Sequence, residues 1–127
     1  MSAQQQLEEI EELARRAVAC KRWRWMPGMQ YQAGGTVGRL SDSQCKGKLP
    51  LVAETMPNLS DPATLGCLLA LVREALKPRG WGFTLCLANM GAGWQLGYLA
   101  GGEWFSPLGT IHRTEVEALV AALEVAP

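Results

Sequence analysis

The stretch "MPNLSDPATLGCLLALVREALKP", residues 56–78, decides the fold. Ser60 or Asp61 can cap a helix, and Pro62 falls in its first turn, where a missing N–H leaves no hydrogen bond unmade. Pro78 closes the element. Between them Leu65, Leu68, Leu69, Val72 and Leu76 form one apolar stripe, widened by Cys67 and Leu71. A helix with so broad an apolar face is expected to lie across a sheet.

Upstream, Leu7, Ile10, Leu13, Ala14, Ala17 and Val18 recur at intervals of three and four, which predicts a first helix over 5–19. Its acids (Glu8, Glu9, Glu11, Glu12) precede its bases (Arg15, Arg16), the polarity that complements the helix macrodipole. The next segment, "KRWRWMPGM" at 21–29, alternates Arg22 and Arg24 with Trp23 and Trp25, a period of two that predicts a short strand ending at the Pro27-Gly28 turn. Residues 32–48 are rich in glycine and serine, with "TVGRL" as a strand-like island, and read as a hairpin or a long loop.

Downstream, "WGFTLCLA", "WQLGYL" and "EWF" are separated by the turns "NMGAG" and "AGG", the pattern of an antiparallel meander. "TEVEALVAALE" then opens with Thr114 and has Glu117 three positions on, a capping box for a last helix. The order α-β-(β-β)-α-β-β-β-α describes an α+β protein: an antiparallel sheet of about four to six strands packed with three helices. Residues 1–127 are read as one domain with a variable glycine-rich insert at about 30–50.

Composition limits the functions. The chain has 127 residues, 48% of them hydrophobic, enough for a core without staples. Twelve basic and twelve acidic residues cancel, so no global field draws the protein to nucleic acid or to an anionic membrane. The bases are nevertheless clustered: Arg15, Arg16, Lys21, Arg22, Arg24, Arg39, Lys46 and Lys48 face a single acid, Asp42, in that part of the chain. No apolar run approaches the roughly 20 residues that span a bilayer, so no membrane association is expected. Cys20, Cys45, Cys67 and Cys86 are dispersed without a CxxC pair, and no signal peptide opens the chain, which predicts reduced thiols in a cytoplasm.

Catalytic chemistry is thinly provided. His112 is the sole histidine and precedes the Thr114 cap, so a local structural role is expected. No zinc set, metal site or cofactor motif is present, and "QAGGTVG" is neither GxGxxG nor a phosphate loop. Two segments suit an anion: His112, Arg113 and Thr114 at the start of the last helix, and the basic aromatic run Lys21, Arg22, Trp23, Arg24 and Trp25, where arginine can pair with phosphate and indole can stack on a base. Gly34, Gly35 and Arg39 complete the candidate ligand-binding set; the glycines suit a flap over a ligand or a loop between hairpin strands, the loop being the preferred reading. All five tryptophans (Trp23, Trp25, Trp81, Trp94, Trp104) fall on predicted strands.

The phrases "ELARRAVACKRWRWMPGM", "PNLSDPATLGCLLALVREA", "WQLGYL" and "TEVEALVAALEVA" resemble a group of small tailed-phage proteins with the phage ABA-sandwich domain. The resemblance covers most of the chain outside 32–53, implies a phage origin and a fold, and transfers no functional residue. With the absent catalytic machinery, it points to a non-enzymatic binding protein in the cytoplasm of the infected host. The leading expectation is a homo-oligomeric sponge for a nucleotide-derived immune signal of the cyclic nucleotide or cyclic ADP-ribose class. The alternatives are a module that binds a protein through a tryptophan-rich sheet face, direct nucleic-acid binding, which neutrality disfavours, and a signal hydrolase resting on His112 alone.

Overall fold

The computed structural model describes residues 2–46, 55–76, 85–89, 91, 93–106 and 109–126. Lys48, the phrase "LPLVAE", Pro78 and Trp81 lie outside the described residues. The three long helices are where the sequence places them. Helix α1 spans Ala3–Val18 and starts earlier than expected because Ser2 and Gln5 make a reciprocal cap: Ser2 Oγ accepts from Gln5 N and Gln5 Oε1 from Ser2 N. Its inward face is Leu13, Ala14 and Ala17.

A fourth, unexpected helix, α2 (Asp42–Lys46), follows the hairpin formed by β1 (Gln30–Ala33) and β2 (Thr36–Arg39). It too is capped reciprocally, Ser41 Oγ accepting from Gln44 N and Gln44 Oε1 from Ser41 N. The hairpin turns on Gly34 and Gly35, both with positive φ, which suits the two-residue turn that matches strand twist. Strand β3 (Met56–Pro57) pairs with β1, giving the order β2-β1-β3.

Helix α3 (Pro62–Leu76) is capped by Asp61, whose Oδ2 accepts from Thr64 N at 3.0 Å. The expected meander then forms as β4 (Leu85–Asn89), β5 (Trp94–Ala100) and β6 (Glu103–Phe105), in order β4-β5-β6. Helix α4 (Glu115–Val125) closes the fold, with Thr114 Oγ1 accepting from Glu117 N. Just before it, His112 exchanges two backbone bonds with Trp94, at 2.6 and 2.7 Å, and so fastens the approach to α4 along β5.

The α+β class holds, but two features of the expected architecture are corrected. The described strands form two three-stranded sheets in place of one sheet of four to six, and the described helices number four in place of three. The physical reason lies in α4. Val116, Ala118, Leu119, Val120, Ala122 and Leu123 are all buried, so this helix is apolar nearly all round and must be covered on several sides. It packs against α1, α3 and β5, and α1 in turn meets β3, so α4 and α1 link the two sheets. Leu13, Met29, Leu40, Leu59, Leu68, Val72, Leu76, Leu96, Leu119 and Leu123 belong to one continuous core.

A further correction concerns 21–26, which contain no strand. After α1 the chain turns, Trp23 N donating to Cys20 O at 3.1 Å, and then runs irregularly to Met29. A strand needs a neighbour to share its backbone bonds. Here the first ladder begins only at Gln30, so side-chain alternation alone does not make one. Of the five tryptophans, Trp94 and Trp104 are on strands and Trp23 and Trp25 are not.

Candidate functional site

The eleven residues singled out as ligand-binding do not converge. Trp23 and Trp25 pack edge to face, with ring centroids 5.4 Å apart, and both lean on the core half-buried. Trp23 Nε1 is buried and has no hydrogen-bond partner among the described residues. Between them Arg24 reaches α3, where Nη1 and Nη2 meet the two carboxylate oxygens of Glu74 at 2.9 and 2.7 Å. Lys21 lines a separate recess of about 390 Å³ with Arg16, Cys20, Leu123 and Glu124, between the ends of α1 and α4. Arg22 sits on the turn beside it, exposed.

Arg39 is spoken for as well. Its Nη1 and Nη2 each donate to Asp61 at 2.9 Å, and Nη1 also donates to Gly28 O at 2.6 Å. The same carboxylate accepts from the backbone and hydroxyl of Thr64, and Thr64 Oγ1 accepts from Gln30 N at 2.8 Å. One network thus joins β2, the α3 cap and β1. The Arg39 guanidinium, with help from Thr64, holds the Asp61 carboxyl far below the usual carboxylate range. At the far side of α1, Arg16 holds the Glu124 carboxyl down in the same way, through bonds at 2.5 and 3.1 Å.

Four of the eleven residues do come to one region, along the N-terminal half of α1. A cleft of about 570 Å³ is floored by Leu7, Ile10 and Leu13 and walled by Glu9, Ser60, Arg113, Thr114 and Glu117. An adjoining recess of about 270 Å³ is bounded by Gln32, Gly34, Gly35 and Asn58, and it shares Leu7, Ile10 and Ser60 with the cleft. His112 stands behind the wall, its Nδ1 3.6 Å from Glu117 Oε1. Arg113 Nη2 is held by Glu9 at 2.7 Å, in a pair where both side chains are about half exposed.

This arrangement combines an apolar floor with one cation, one helix start and several hydroxyl or amide groups. An anion entering it would exchange with Glu9 for Arg113, and an exposed pair of this kind is weak enough to exchange. Leu7 shares the helical stripe of Ile10 and Leu13 but is 53% exposed, in the first turns of α1. Ser60, Glu9 and Glu117 carried no signal of a site at all, since caps and solvated faces use the same residues.

Among the described residues, no group of three or more His, Cys, Asp or Glu side chains is placed to hold a metal ion, and no helix is long and apolar enough to cross a membrane. The chain matches no protein-family model, no curated protein and no solved structure, so the reading of its function stands on this geometry and on the residues themselves.

Proposed function

We propose that this is a phage-encoded, non-enzymatic binding protein that sequesters a nucleotide-derived host immune signal in the cleft along α1. The observation that supports it is the pairing, in one hollow of about 570 Å³, of the apolar floor Leu7, Ile10 and Leu13 with Arg113 and Thr114 at the start of α4. Small-ligand sites commonly have this size and this mixture, a mostly apolar surface with a few polar groups to fix orientation. A base or ribose lies on the floor, and a phosphate takes Arg113 from Glu9. Gly34 and Gly35 form the rim of the adjoining recess. The protein acts in the cytoplasm of the infected host, as a homo-oligomer whose second copy covers the open side of the cleft.

The test is depletion and recovery. Purified protein is mixed with cyclic dinucleotides, cyclic trinucleotides and cyclic ADP-ribose isomers, and the filtrate is assayed before and after heating the protein. A ligand that disappears and returns intact supports sequestration. Loss without return identifies a hydrolase, and no depletion across the panel rejects the reading. Arg113→Ala is expected to abolish capture, while Lys21→Ala, in the other recess, leaves it unchanged.

A second reading, a protein-interaction module, is favoured by the second sheet. Phe105 is 41% exposed and stacks on Tyr98 with centroids 5.6 Å apart. Trp104 lies across Gly97, its Nε1 donating to Gln95 Oε1 at 2.9 Å. If nucleotides are not captured, this aromatic sheet edge is the surface on which a partner protein is to be mapped by cross-linking.

A further inference from the structure

The hairpin of the first sheet ends in a strand that has no neighbour on its outer side among the described strands, since the order β2-β1-β3 makes β2 an edge. Two bonds fix which of its backbone groups look outward. Leu40 N donates to Met29 O at 2.9 Å, and Asn58 N donates to Gln30 O at 2.9 Å on the opposite side of β1. Inward and outward groups alternate along an antiparallel ladder. Gly38 is therefore bonded to Tyr31, while Val37 and Arg39 turn their N–H and C=O groups away from β1. The devices that blunt an exposed edge are weak here. Val37 is apolar and 56% exposed, and the strand holds no proline, lysine or bulge. Its one charge, Arg39, is held by Asp61 and Gly28 O and does not stand across the edge as a loose cation.

We propose that β2 is a dimer edge: it pairs antiparallel with β2 of a second copy about a twofold axis beside Gly38, joining two three-stranded sheets into one of six. In this register Val37 exchanges two backbone bonds with the partner's Arg39, and Arg39 does the same with the partner's Val37. The outward groups of both residues are then used. The pairing rests on the backbone of β2 and not on the cleft along α1, so it goes beyond the ligand reading, and the capture assay and the assembly assay fail independently.

Gly38 identifies the occupant as a second copy. Tyr31 lies across it, and a methyl group built on Gly38 would stand 2.5 Å from Tyr31 Oη. Residues that face each other without exchanging backbone bonds approach to about 4.5 Å between Cα atoms, so the phenol leaves little space for a side chain opposite Gly38. The incoming strand needs a glycine at that place, and β2 itself supplies one. The axis is normal to the sheet, so it brings both Tyr31 hydroxyls to the same face, one on each side of the axis. Each can donate and accept, and Tyr31 Oη has no partner among the described residues. On the other face Val37 packs on the methylene stem of the partner's Arg39. An unrelated extended peptide could make the backbone bonds but would lack this fit.

The test uses the full chain in solution. Sedimentation velocity over a dilution series should show dimers that dissociate to monomers, and amide hydrogen exchange read by NMR should show the Val37 and Arg39 N–H groups protected in the dimer. Val37→Pro deletes one outward N–H and leaves the β1–β2 bonds in place, because those are made by Thr36 and Gly38. It should give a monomer with unchanged circular dichroism, in which the Arg39 amide loses its protection. Val37→Lys, which sets a charge on the edge, should do the same and keeps the test open if the proline variant fails to fold. In dimers of labelled and unlabelled chains, contacts between copies should join Val37 to the partner's Arg39. A parent that stays monomeric at the highest concentration, a dimer that survives a folded edge variant, freely exchanging Val37 and Arg39 amides, or direct contact between the two Val37 side chains would overturn the proposal.

Discussion

Thr64 offers a sharp test of what holds the fold together. Its side chain is fully buried, and its hydroxyl accepts from Gln30 N at 2.8 Å while donating to Asp61 Oδ2 at 2.9 Å. Thr64→Val keeps the shape and deletes both bonds. The Gln30 N–H is then left facing a methyl group, and an unsatisfied donor of this kind costs about 1–3 kcal/mol. A loss of about 2 kcal/mol is expected, since the Asp61 carboxylate keeps Arg39 and Thr64 N as donors. Thr64→Ser keeps the hydroxyl and loses one buried methyl group, which costs about 1 kcal/mol. The valine variant should therefore be the less stable of the two in urea denaturation followed by tryptophan fluorescence. If packing alone mattered, the order would invert. A valine variant within about 0.5 kcal/mol of the parent, or more stable than the serine variant, would refute the network as a structural tie.

Other outcomes follow from the same structure. Leu119→Ala empties a fully buried position on α4 between helices and sheet, and should cost about 2–5 kcal/mol in the same urea assay. Gly97→Ala places a methyl against the carbonyl of Phe105 and 2.7 Å from the Trp104 ring, both across the β5–β6 ladder. It should displace β6 and destabilise by about 1–3 kcal/mol, with a shifted tryptophan emission as the local readout. Acid should weaken the fold with a definite sign. The Asp61 and Glu124 carboxyls are depressed by Arg39 and Arg16, so the stability they add is fully present above the unfolded carboxylate value of about 4 and is lost as pH falls through their lower folded values. Urea midpoints measured from pH 7 to pH 2 should fall below that value, and Asp61→Asn should flatten the fall.

Much of the element list was legible because its signals are local. The Pro62 start of α3, the Thr114 cap of α4, the Gly34-Gly35 turn and the meander before α4 each rest on residues within a few positions of one another. Even α2 had a signal that the glycine-rich reading passed over: "SDSQ" at 41–44 carries the S-x-x-Q spacing that caps it. The alternation in "KRWRWMPGM" misled for the opposite reason. Period two reports which way side chains point in a strand, but a strand exists only where another lies beside it, and none of the described strands does so at 22–25.

The candidate site divides in the same way. By itself the sequence determined the three long helices, the meander and the presence of arginines and tryptophans capable of binding an anion, because capping, periodicity and side-chain chemistry act within a few residues. Only the tertiary structure decided what those side chains face. Arg39, Arg24 and Arg113 meet carboxylates 22, 50 and 104 positions away, which turns most of an imagined phosphate grip into ties between elements. It also split the strands into two sheets around a helix apolar on nearly every side, and it left Leu7 beside Arg113 in an open cleft. Ion pairing and burial depend on distance in space, and spatial proximity between residues a hundred positions apart is set by the packing of the whole chain.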